Sequence, residues 1–177
     1  MSKQIVLVNF NEEAYLKVEE IVTKDNIQSN SISGDLDIIF KDAFKQSENT
    51  FDEKKDKYIL FNEFDNEEIT SLYKEITKFI TDSFILVKLM DNNSQLQLQE
   101  LLTEVSKEDE LMRRYYHLET LFKAINIIDP VLFDEADKLK IMSAYSVYKN
   151  DTYELEEINE SIKMMEELIK DKENNQK

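Results

Sequence analysis

The sequence predicts an α/β fold: two β-α-β-α repeats forming a four-stranded mixed sheet covered by helices, followed by a three-helix C-terminal annex. Three observations carry this reading. Shifting the chain by 54 residues lays "IVLVNFNEEAYLKVEEIV" on "ILFNEFDNEEITSLYKEI" with the apolar positions coincident. Each copy opens on a short apolar run with the character of a buried strand and then changes to helical spacing, Tyr15, Val18 and Val22 in one, Ile69, Leu72 and Ile76 in the other. Beyond Ser106 only helical spacing remains.

The first strand of each copy ends in acids and amides that read as helix punctuation. With Asn11 and Asp65 as N-caps, Phe10 pairs with Tyr15 and Phe64 with Ile69 as hydrophobic staples, and Asp65 with Glu68 makes a capping box. Glu12, Glu13, Glu67 and Glu68 then fall in first turns, where the helix dipole favours negative charge. A second strand follows in each copy, "IQSNSIS" at 27–33 and the more apolar "FILVKLM" at 84–90, and then another helix, started by Asp35 after Gly34 in one copy and by Ser94 with Gln97 in the other. A helical crossover makes the two strands of each copy parallel. The polar stretch 46–57 separates the copies.

In the annex, Leu111, Tyr115, Leu118, Phe122 and Ile125 form one seam, and Leu155, Ile158, Ile162, Met165 and Ile169 form another, at alternating steps of 3 and 4 residues. Between them Asp129-Pro130 stops one helix and starts the next, with Pro at the first helical position. The expected boundaries are a duplicated domain at 1–105, the helical annex at 106–172 and a disordered tail at 173–177.

Composition narrows the function classes. The 177 residues carry a net charge of −16, which repels nucleic acid and anionic lipid as direct partners and leaves basic proteins open. Cysteine is absent, so no disulfide framework, thiolate metal site or thiol nucleophile exists, which fits a reducing compartment. The six-residue run "IVLVNF" is too short for a signal-peptide core or a membrane span, so the expected location is the cytoplasm. Twenty Lys against two Arg, with abundant Asn and Ile, resembles the output of an AT-rich bacterial genome.

The stretch 58–108, with "YILFNEFDNEEI", "FILVKLM" and "LQLQELLTEV", resembles a bacterial family of small acidic β-α-β-α domains of unknown function. The resemblance implies a strand, a capped helix, a second strand and a Leu-x-x-Leu-x-Glu helix. It implies no activity and no catalytic residues.

No constellation for catalysis stands out. His117, the only His, has neither a Glu three residues before it nor a second His nearby to complete a metal motif. The acids Asp134, Glu135 and Asp137, and Glu154, Glu156, Glu157 and Glu160, lack the alternating oxygen ligands and Gly of a calcium loop and read as solvated helix faces. One Gly in the chain cannot build a dinucleotide loop. Asn62 stands where a receiver domain would place its phosphoacceptor Asp. No cofactor is expected.

What remains is "RRYYHLE", where both Arg of the chain fall beside two Tyr, residue types enriched at interface hot spots. Arg113, Arg114, Tyr116 and His117 are the candidate partner-binding residues, with a Glu110–Arg114 pair within the helix as the structural alternative. The expected function is a non-enzymatic cytoplasmic interaction or regulatory module with a protein partner, the annex also allowing self-association. Two rivals are an acidic nucleic-acid mimic that blocks a basic DNA- or RNA-binding protein, as phage inhibitors do, and an enzyme with a carboxylate pair at the strand C-termini.

Overall fold

The computed structural model describes residues 2–150 and 154–175. In chain order it contains β1 (Gln4–Val8), α1 (Glu12–Thr23), β2 (Gln28–Ile32), α2 (Phe40–Ala43), β3 (Tyr58–Asn62), α3 (Asn66–Ile76), β4 (Ile85–Lys88), α4 (Leu98–Ile125), α5 (Glu135–Lys149) and α6 (Leu155–Asn175). A 3-10 turn, Pro130–Leu132, lies between α4 and α5. The sheet is four-stranded and mixed, in the order β2-β1-β3-β4. β1 runs parallel to β2 and β3 to β4, while β1 and β3 are antiparallel. The α/β class with C-terminal helices is therefore the observed one.

The sequence repeat is a pseudo-twofold. Val6 pairs across the sheet centre with Leu60, its own counterpart 54 residues on. Asn9 and Glu63, also counterparts, both hold φ of 64°. This left-handed residue ends each strand and turns the chain so that the next residue, Phe10 or Phe64, enters the core. The spacing between counterparts grows to 57 residues at Asn30 and Val87, and to 58 at Ile39 and Gln97. Those last two residues form an isolated bridge in which the Phe40 N–H donates to Leu96 O (2.9 Å) and the Leu98 N–H to Ile38 O (2.8 Å).

The caps form as the sequence predicts. Asn11 Oδ1 accepts the Ala14 N–H (2.9 Å), and Asp65 Oδ1 accepts the Glu68 N–H (2.8 Å) while Glu68 Oε2 accepts the Asp65 N–H (3.1 Å). Alternation along the strands splits the core into two layers. Ile5, Leu7, Ile59 and Phe61 face Tyr15, Val18 and Val22 of α1 and Leu72 and Ile76 of α3. Val6, Val8, Tyr58 and Leu60 face Phe40 and Ala43 of α2 and Leu98, Leu101 and Leu102 of α4.

Two helix starts differ from expectation. α2 begins at Phe40, five residues after Asp35, whose Oδ1 instead accepts the Asp37 N–H (3.0 Å) in a turn behind Gly34. Gly34 sits at φ 90°, a conformation that side chains resist. α4 begins at Leu98 and not after Ser94, whose Oγ donates to Asp91 O (3.1 Å). The cause is shared: the bridge draws Ile38–Phe40 and Leu96–Leu98 into extended pairing, which delays both helices.

The chain divides into two compact units, Met1–Ser106 and Lys107–Lys177. The boundary falls inside α4, so the last helix of the second repeat and the first annex helix are one continuous helix. In the second unit both expected seams are covered: Leu118, Ile125, Ile158, Ile162 and Met165 are buried around Ala144 of α5. Pro130 begins the 3-10 turn and not α5, because Asp129 Oδ1 takes the Val131 N–H (3.0 Å). α5 is capped separately by Asp134, whose Oδ1 accepts the Asp137 N–H (2.8 Å). Asp137 is a further correction. It is buried rather than solvated, and its Oδ2 meets Lys172 Nζ of α6 at 2.6 Å. α6 continues through Asn175, so residues 173–175 of the expected tail are helical, and 176–177 lie outside the described residues. Among the described residues no helix is long and apolar enough to cross a membrane.

Candidate functional site

In open α/β sheets ligands bind beyond the carboxyl ends of the strands. Here β1 and β2 end together at Val8 and Ile32, and the chain beyond them is tied inward. The Asn9 N–H donates to Ile32 O (3.0 Å), and Asn9 Nδ2 donates to Asp56 O (2.9 Å). Lys57 is buried beside them. Its ammonium donates to Glu53 Oε1 (2.8 Å) and to Asp82. Burial pulls the Lys57 pKa down, but the bonds to Asp82 and Glu53 outweigh it and leave the pKa above its ordinary value. The same bond, with help from Asn11, holds the Glu53 carboxyl below the usual carboxylate range. General acid catalysis needs a carboxyl with a raised pKa, and Glu53 is shifted the other way. The two acids clamp the 46–57 connector and the residues before β4 onto one cation.

At the opposite edge, β3 and β4 end near Asn62, whose Nδ2 donates to Gln4 Oε1 (3.1 Å). Glu68 closes the α3 capping box and pairs with Lys3, which lowers its pKa. The Asp65 and Glu68 carboxylates meet there, and each accepts a backbone N–H of the capping box. Among the described residues no group of three or more Asp, Glu or His comes close enough to hold a metal ion.

The candidate partner-binding residues lie together on α4. Arg113 is exposed, with its Nε on Asp109 Oδ2 at 2.6 Å, so the helix pairing runs from Asp109 to Arg113. Arg114 is exposed one residue on, and Tyr116 is 57% exposed. Met112, one turn before Tyr116, is also exposed. His117 is turned aside: its Nε2 lies 3.3 Å from Glu166 Oε1 of α6. Tyr115 faces the other way and stacks on Tyr148 of α5, with ring centroids 4.8 Å apart and planes at 18°. Tyr115 and Tyr148 thus tie α4 to α5, while Tyr116, edge-on to Tyr115 at 6.1 Å, stays outside.

No family model, curated protein or solved structure matches the chain.

Sequence reasoning missed two assemblies. The Lys57 cluster gathers residues from three separate segments, and only the Lys before an apolar strand hints at it. Asp137 and Lys172 sit at the start of α5 and the end of α6, and no local pattern links them.

Proposed function

We propose that the protein is a non-enzymatic, cytoplasmic protein-interaction module whose binding face is the outer surface of α4 around Arg113, Arg114 and Tyr116. One observation carries the reading: the Tyr116 side chain stands in solvent one helical turn from the exposed Arg113 guanidinium on an otherwise acidic chain. Water gains nothing from a presented Tyr ring, whereas a partner that covers it removes apolar area and gives the hydroxyl a hydrogen-bond partner. The Asp109 contact holds Arg113 against the helix, which lowers the side-chain entropy lost on docking. The local chemistry fits aromatic or acidic side chains on the partner, and the overall negative charge steers basic proteins at longer range.

Two further observations support this choice over the rivals. The carboxylates beyond β1 and β2 are engaged with Lys57. On the outer face of α6 the acids Glu156, Glu157, Glu160 and Glu167 are interrupted by Lys163 and Lys170, whereas mimicry of a phosphate backbone calls for an unbroken row.

Replacing Arg113 and Tyr116 together by Ala is expected to leave stability within about 1 kcal/mol of the parent, as exposed positions do. Capture of the partner from a native extract should fall more than tenfold, or ~1.4 kcal/mol. The same proteins captured at the same level by the folded double variant would remove this face.

A further inference from the structure

α5 carries two seams. Asp137, Ile141, Ala144 and Tyr148, at steps of 4, 3 and 4, face inward and are buried or half-buried. Glu135, Leu139, Met142, Ser146 and Lys149, at steps of 4, 3, 4 and 3, lie on the opposite side and are all exposed. Leu139 is 66% exposed, Met142 65% and the flanking Tyr145 49%. A helix with a heptad seam on each side is built to pack twice, and among the described residues only the inner seam is covered.

The outer seam is self-complementary about Met142. Laid antiparallel on a second copy with Met142 at the twofold axis, Leu139 faces Tyr145 of the other chain, Lys138 faces Ser146, and Glu135 faces Lys149, once at each end. A parallel pairing would set Glu135 against Glu135 and Lys149 against Lys149. The antiparallel order also brings each helix N-terminus to the other's C-terminus, which the macrodipoles favour. Within one chain Glu135 meets Lys138 at 2.7 Å, and Lys149 lies over the Tyr145 and Tyr148 rings at 5.6 and 5.4 Å. Both end residues are exposed, so each can exchange an intrachain contact for one across the axis. We infer that α5 is a homodimerisation helix whose occupant is α5 of a second copy, related by a twofold axis through Met142. A single helix pair lies at the small end of specific interfaces, so the dimer forms and dissociates with protein concentration. The inference stands apart from the α4 face and survives or fails without it.

The absence of cysteine makes the test clean. The full-length Met142→Cys variant is treated with a short bismaleimide, beside Lys140→Cys on the opposite side of the same helix, after circular dichroism confirms that both are folded. Met142→Cys is expected to give covalent dimer at least tenfold faster. Adding Glu135→Lys or Lys149→Glu alone should slow the reaction, and the two together should restore it, because the swapped charges again meet across the axis. Sedimentation of the parent chain should show average mass rising with concentration. Equal cross-linking at both positions, a single-chain mass at every concentration, or failure of the double swap to restore the rate would each overturn the inference.

Discussion

Phe64→Ala should lower folding stability by about 3–4 kcal/mol, read as a fall in the denaturant midpoint at unchanged slope. The ring is buried, meets Phe61 edge-on at 5.3 Å and lies under Lys3 Nζ at 5.6 Å. It also follows Glu63, whose left-handed backbone turns the chain so that the ring enters the core. Deleting the ring opens a cavity and loosens the strand-to-helix turn together. The pseudo-twofold gives an internal control, since Phe10 follows left-handed Asn9 and is fully buried, so Phe10→Ala should cost a similar amount. Asp65→Ala, removing only the cap beside it, should cost ~1 kcal/mol. A lost partner-binding activity at an unchanged midpoint in Asp65→Ala would instead make the acidic turn a functional site.

Asp137→Ala should destabilise the second unit. The carboxylate caps α5 and meets the Lys172 ammonium, with both side chains largely out of water. Removing it frees the Asp134 N–H of its bond and leaves Lys172 with the exposed Asp171 carboxylate at 3.2 Å. The expected loss is about 2 kcal/mol, below that of a deep ion pair because a small bundle leaves solvent close by. The Lys172 bond holds the Asp137 pKa below the ordinary value, so its contribution is complete above about pH 4 and fades as pH falls through the lowered folded value. Lys172 is raised, chiefly by the same bond, so its share is complete below about pH 10 and is lost as pH rises through its folded value. Between those limits the pair is intact. The variant should lose part of the parent's decline in stability below pH 4, and an acid limb identical to the parent's would show that the pair contributes nothing.

The duplicated frame was legible because its signals are local and occur twice. A staple, a cap and a change of period from strand to helix lie within a dozen residues at each copy, and chance rarely repeats all three. The delayed starts of α2 and α4 were not legible, since the bridge between Ile39 and Gln97 is a tertiary contact that overrides the capping signals of Asp35 and Ser94. The continuity of α4 escaped for a related reason: its inward face turns from the sheet layer at Leu102 to the bundle seam at Leu118, and a change of partner reads in sequence as a change of element. Among the candidate site residues, the run "RRYYHLE" marked the exposed Arg-Tyr face. Its spacing could not show that His117 would meet Glu166 from another helix. The outer seam of α5 was written in heptad steps, but an inner seam runs through the same stretch at the same spacing, and only the packing shows which face is already covered.

Radical footprinting of the captured complex tests the central claim most directly. Met and Tyr side chains react readily with hydroxyl radicals, and Met112 and Tyr116 both stand in solvent. Bound partner should protect these two side chains while leaving Phe51, exposed on the connector that carries the Lys57 cluster, as reactive as in the free chain. Protection of Phe51 with Met112 and Tyr116 unchanged would place the site at the strand ends and contradict the account.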